Sequence, residues 1–152
     1  MSIATRLQEL GIELPDVAAP VAAYVPAVVH GGLVYTSGQL PFASGALPAT
    51  GKVGAEVTPE DAATYARTCA LNALAAAAAA AGGLDRIAGV LRVGGFVACA
   101  PSFTGQPAVI NGASEVLGEI FGDAGRHARA AVGVASLPLD SPVEVEVTFL
   151  LA

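Results

Sequence analysis

The chain has 152 residues, 54% of them hydrophobic and 13% charged, with a formal net charge of −6. That length suits a single domain over 1–152 with a core that needs no disulfide. Seven Lys and Arg against 13 Asp and Glu leave no basic stripe for a nucleic acid, since affinity for phosphate backbones comes mainly from cations.

The charge content is far below the ~25% of ordinary globular domains. So few charges cannot cover a surface of this size, and a broad apolar face is expected to be buried against further copies of the chain. The uncharged stretch from Thr68 to Leu84 is mostly alanine and ends in Gly-Gly. It is too short and too weakly apolar to span a bilayer. The N-terminus lacks the apolar run of a signal peptide. Cys69 and Cys99 show no metal-ligand spacing and read as buried, reduced thiols. The expectation is a cytoplasmic protein that binds neither metal nor membrane.

Residues 2–10 predict a short helix stopped by Gly11 and Pro15, and a linker then leads to Tyr24, so 1–21 reads as a helical extension. Two β-rich runs, about 25–29 and 33–38, flank His30-Gly31-Gly32, a hairpin signal. The stretch "PFASGALPATGKVG" is loop. Thr58-Pro59-Glu60-Asp61 then opens a helix with a capping hydroxyl, a proline at the first position and an acid three residues after the cap. It is expected to run to Ala81 and stop at Gly82-Gly83. Its alanine run predicts a thin helix lying close to a sheet.

A third strand covers "RIAGVLRVGGFVAC", in which Gly94-Gly95 suggests a bulge or a close backbone approach. A second long helix spans about Pro107 to Phe121, with Val109, Ile110, Val116, Leu117 and Ile120 on its buried side. "HARAAVGVASL" and "VEVEVTFLL" are the fourth and fifth strands. The order ββαβαββ defines an α+β two-layer sandwich, one sheet with two helices on one face.

Strand alternation assigns faces. Val143, Val145 and Val147 should meet the helices, leaving Glu144 and Glu146 on the open face. In the fourth strand Ala128, Ala130, Val132 and Val134 form the more apolar set. Arg129 is therefore expected on the open face with the glutamates, where it could aim at a ligand or pair with Glu144 or Glu146.

Several of these pieces together resemble the YjgF/RidA family, also known as reactive-intermediate deaminases or L-PSP endoribonucleases. They are Tyr24 in "YVPAV", "VYTSGQLP", "ATGKVG", Asn111 in "VIN", Arg129 in "HARAAVGVASLP" and Glu144 in "VEVEV", in order from about residue 22 to the C-terminus. The resemblance implies a chorismate-mutase-like fold assembled as a homotrimer with clefts between subunits. It implies hydrolysis of 2-imino acids or their enamine tautomers to 2-keto acids and ammonia, with no cofactor. Carried over by position, Arg129 holds the substrate carboxylate and Glu144 positions or activates water. Gly38 touches the substrate through its backbone, and Tyr24 and Asn111 shape the pocket. The alternative is a non-catalytic binder of small carboxylates in the same clefts; ribonuclease or translation-inhibitor activity ranks last, given the acidic charge.

Departures from the family pattern surround this pocket. His127 stands where a proline is usual two residues before the arginine, and is a candidate ligand contact or proton shuttle. Ala131 replaces a frequent cysteine, which excludes thiol chemistry there. Pro26 replaces a frequent glutamine, and "CAPSFTGQP" is longer than the usual connection.

Overall fold

The computed structural model describes residues 1–17 and 23–152; the linker expected ahead of Tyr24 falls largely on 18–22, outside the described residues. Helix α1 (Ile3–Leu10) begins at Ser2, whose hydroxyl accepts from the Thr5 N–H, and ends at Gly11 with φ 67°. It buries Leu7, and the Arg6 Nε donates to the Glu119 carbonyl at 2.9 Å.

Strands β1 (Ala27–His30) and β2 (Leu33–Thr36) pair antiparallel. Gly31 and Gly32 join them with φ 58° and 81°. A two-residue hairpin turn of this hand needs positive φ at both positions, which glycine adopts without steric cost. Beyond Thr36 the chain bends and pairs again, Gln39 and Val145 exchanging backbone bonds of 2.8 and 3.0 Å.

Helix α2 (Pro59–Ala81) starts at Thr58, whose hydroxyl accepts from the Asp61 N–H, and stops at Gly82 in the left-handed region, φ 90°. Strand β3 (Ile87–Ala98), helix α3 (Gln106–Phe121), strand β4 (Ala128–Val134) and strand β5 (Val143–Leu151) follow. The five strands form one sheet in the order β1-β2-β5-β3-β4, with β3 and β4 parallel. A parallel pair needs a crossover between its strands, and α3 supplies it. This leaves β1 and β4 at the edges.

The core lies between the sheet and α2/α3. Val143, Val145, Val147 and Phe149 point into it with Val34, Val90, Val93 and Val97. Alanines 62, 66, 70, 73 and 77 of α2 are fully buried, so the helix is indeed thin and close-packed. Gly112 of α3 meets the Ala63 carbonyl with no room for a side chain. At Gly94-Gly95 the register is regular, and the bulges lie earlier, between Ile87 and Gly89 and between Val90 and Arg92. The glycines there answer to close approach: a Cβ on Gly95 would overlap the Ile110 side chain. The segment "ATGKVG" is tied to the turn before β5, where Lys52 Nζ pairs with Asp140 at 2.6 Å.

The face of β4 differs from the sequence expectation. Arg129 stands opposite Val93, and Val93 opposite Val147, so Arg129 shares the helix-covered side. Ala130 stands in one row with Gly94 and Glu146 on the open side. The reason is the position of β4 at the sheet edge. There the helix side is no longer apolar core but a rim that includes Asn111 and Ser114 of α3, both bonded to Arg129. Val132, expected in the core, is 44% exposed on the open face.

Candidate functional site

Arg129 reaches from the edge strand to α3. Its Nη1 donates to Asn111 Oδ1 at 2.7 Å and to Ser114 Oγ at 3.2 Å. These acceptors are three residues apart on one helix, the spacing that puts two side chains on one face. Nη1 carries two hydrogens, so both are engaged. Nε and Nη2 have no hydrogen-bond partner among the described residues.

Its charge is also left without a counter-ion. Arg6, Lys52, Arg67, Arg92 and Arg126 each pair with a carboxylate, whereas Arg129 has none among the described residues. Neither cross-strand pair open to Arg129 from the sequence forms. Glu146 is taken by Arg92 at 3.6 Å, and Glu144 lies on the opposite face of the sheet.

His127 packs beside this cluster. Its Nε2 is 2.9 Å from Ser114 Oγ and its Nδ1 is 2.6 Å from the Gly125 carbonyl. Ser114 is thus shared by Arg129 and His127, a role the sequence reading missed. The signal available for it was its position three residues after Asn111; what the sequence lacks is the fold that lays β4 beside that helix face.

Gly38 and Glu144 form a second group. The Glu144 carboxylate lies where a side chain on residue 38 would have to stand, so only glycine fits there without displacing it. Burial, and after it the nearby Glu146 charge, raise the Glu144 carboxyl above the usual carboxylate range. Tyr24 is 56% exposed. Its neighbour Val25 accepts a 2.6 Å bond from the Ser37 hydroxyl, which holds the Tyr24 segment to the "SGQ" stretch.

Five of the six site residues read from the sequence therefore fall into two groups in one chain, Arg129, Asn111 and His127 at the β4 edge and Gly38 and Glu144 on the open face, while Tyr24 is exposed on the segment held to Ser37. Arg129 and Glu144 are two strands apart and three residues out of step, roughly 10 Å across and 10 Å along the sheet. A concavity of about 410 Å³ between α1 and the end of α3 contains none of them. Burial pushes the Cys69 thiol well up, with a smaller contribution from the Glu144 charge, leaving it an inert core group. Cys99 is half-buried and unpaired. Among the described residues no group of three or more His, Cys, Asp or Glu could hold a metal ion, and no helix is long and apolar enough to cross a membrane.

The fold and these residues define a class: a two-layer α+β protein with an uncovered sheet face and an uncompensated arginine at its edge. The family described as "YjgF/chorismate_mutase-like, putative endoribonuclease" matches residues 4–151, and the chain belongs to it. Protein TCP17 of Trypanosoma cruzi is 46% identical over 145 residues, 95% of this chain and 91% of that protein. A Shewanella oneidensis structure, described as "a putative endoribonuclease", is 36% identical with a TM-score of 0.94, covering 99% of this chain and 100% of that one. The structure of E. coli TdcF with bound serine is 25% identical with a TM-score of 0.64, covering 90% and 94%.

Proposed function

We propose that the chain hydrolyses small 2-imino acids, or their enamine tautomers, to 2-keto acids and ammonia in clefts between copies of a homotrimer. The observation that carries this reading is Arg129: a guanidinium fixed by two neutral acceptors and, among the described residues, without a carboxylate of its own and with its Nε–Nη2 edge unengaged. That edge matches a carboxylate in two parallel charge-assisted bonds, which orients the substrate as well as binding it. Serine, bound in the TdcF structure, is a small molecule carrying such a carboxylate.

Water adds to the iminium carbon as one of its protons passes to Glu144, which hands it to the amine nitrogen. As the C–N bond breaks, Glu144 takes the remaining hydroxyl proton and passes it to the departing ammonia. Keto acid and ammonium leave, and Glu144 is again ionised. A carboxyl raised by burial is suited to both halves of this transfer near neutral pH. Because Arg129 and Glu144 sit on opposite faces of one sheet, the cleft takes Arg129 from one copy and Glu144 from another. Gly38 leaves the space in which that carboxylate lies, and Tyr24 and Asn111 line the pocket. Two free thiols accord with a reducing compartment, and we assign the activity to the cytoplasm.

The test is to generate 2-iminobutanoate in situ with a dehydratase and follow keto-acid release. The wild type is expected to accelerate release. Glu144→Gln should lower turnover by roughly 10²–10⁴-fold, the usual contribution of a positioned acid–base group. Arg129→Ala should lose saturation at low substrate. No acceleration by the wild type, with carboxylates still protecting it from heat, would establish the alternative, a non-catalytic carboxylate binder. Ribonuclease activity is the weakest reading, because seven basic residues stand against 13 acidic ones and five of the seven lie within 4 Å of a carboxylate, whereas phosphate binding depends on clustered cations.

A further inference from the structure

We infer that Ser114 and His127 are a positioning pair: together they lock the Arg129 guanidinium so that its Nε–Nη2 edge is presented to a ligand carboxylate. The inference rests on the reading of Arg129 as a carboxylate clamp and adds the device that sets the clamp.

The proton directions follow from the partners. The Gly125 oxygen is a carbonyl and only accepts, so His127 Nδ1 carries the hydrogen of that 2.6 Å bond. In the neutral ring Nε2 is then bare, and it accepts from the Ser114 hydroxyl at 2.9 Å. This tautomer is assigned from the network, since the carbonyl admits only one choice. With its hydrogen directed to His127, Ser114 Oγ turns its lone pairs to Arg129 and accepts from Nη1 at 3.2 Å. Asn111 Oδ1 takes the second Nη1 hydrogen.

Without His127 the hydroxyl would be free to rotate. A helical serine commonly turns its hydrogen back to the carbonyl four residues earlier, here that of Ile110. Its lone pairs would then no longer be held toward Nη1, and one of the two anchors of the guanidinium would weaken. Both ring nitrogens of His127 are engaged inside the chain, so the residue acts through Ser114 rather than by touching the ligand. Its place two residues before Arg129, where the family pattern has proline, supplies a donor and an acceptor that proline lacks.

The ligand class is a small 2-oxo or 2-imino monocarboxylate, and the probe is 2-oxobutanoate, titrated into the assembled protein by calorimetry. Ser114→Ala and His127→Ala are expected to weaken binding about tenfold, whereas Ser114→Thr, which keeps the hydroxyl, should bind within about twofold of wild type. Arg129→Ala should abolish binding. In ligand-free protein, ¹⁵N spectra should show a hydrogen on His127 Nδ1 with Nε2 bare, and separate Nη1 and Nη2 signals for Arg129. Those two signals should merge in Ser114→Ala and His127→Ala.

Wild-type affinity in both alanine variants, with binding lost in Arg129→Ala, would overturn the positioning pair and leave the clamp standing. Wild-type affinity in Arg129→Ala would remove the clamp and the pair together. Should the variants not fold, the wild-type spectrum decides alone: an Nε2–H tautomer, or averaged Arg129 signals, overturns the inference.

Discussion

At the scale of single residues, Glu144 links stability to the proposed chemistry with opposite signs. Its carboxyl is raised by burial and by Glu146, so the folded chain binds this proton more tightly than the unfolded one. Wild-type stability therefore falls as pH rises from its ordinary value near 4.5 through the higher folded value. Glu144→Gln removes that loss. The variant should melt higher than wild type at pH 7, with the difference vanishing as pH falls below the ordinary value, while its turnover falls. A melting curve series from pH 4 to 8 checks the sign, and a variant less stable at pH 7 than at pH 4 relative to wild type would contradict it. Glu144 and Arg129 were both legible as candidates because they match positions of the family pattern, in "VEVEV" and "HARAAVGVASLP". Ser114 was not, because a serine gains its meaning only from the strand that folds beside it.

At the scale of elements, the limits of the alternation rule show most clearly in β4. It assigned β5 correctly, where valine and glutamate alternate and the contrast between faces is large. In β4 the two sets are Ala128, Ala130, Val132 and Val134 against Arg129, Ala131 and Gly133, and the rule placed the arginine away from the helices. At a sheet edge the helix side is a polar rim, so the arginine faces it instead. Helix ends were legible because their signals are local: Thr58 and Gly82 cap α2 where their neighbours said they would. The two mid-helix glycines of α3 provide a paired test of packing. Gly112 abuts the Ala63 carbonyl, whereas Gly118 has nothing within 4 Å of the place a Cβ would take. Gly112→Ala should cost about 1–3 kcal/mol by forcing the helices apart. Gly118→Ala should instead stabilise by about 0.5–1 kcal/mol through helix propensity. Denaturant titration of both reads the sign, and equal effects would mean that α2 and α3 are not held at this separation.

At the scale of the whole molecule, the sheet has one covered face and one that presents Val28, Tyr35 and Val132 at 44–51% exposure. Low charge content anticipated such a face, but not which strands would form it. With Arg129 and Glu144 on opposite sides of the sheet, association of copies is also what the proposed chemistry requires. Tyr35→Asp places a carboxylate in the middle of the open face and should shift the protein to a monomer in light scattering, with imine hydrolysis lost in parallel. A monomeric variant that kept full activity would show that one chain suffices.

The alanine-rich α2 has a calorimetric consequence. Of its buried residues, only Cys69 and Leu74 are larger than alanine. Alanine forfeits no rotamer entropy on folding, and it also removes little apolar area from water. Folding of this layer thus combines a small driving force with a small entropic opposition, and the hydration change on unfolding is correspondingly modest. In the monomeric Tyr35→Asp variant, the heat capacity of unfolding should fall below the usual ~12–15 cal/mol/K per residue. The stability curve would then be broad and shallow, losing little to either cold or moderate heat, with scanning calorimetry at several pH values as the measure of its curvature.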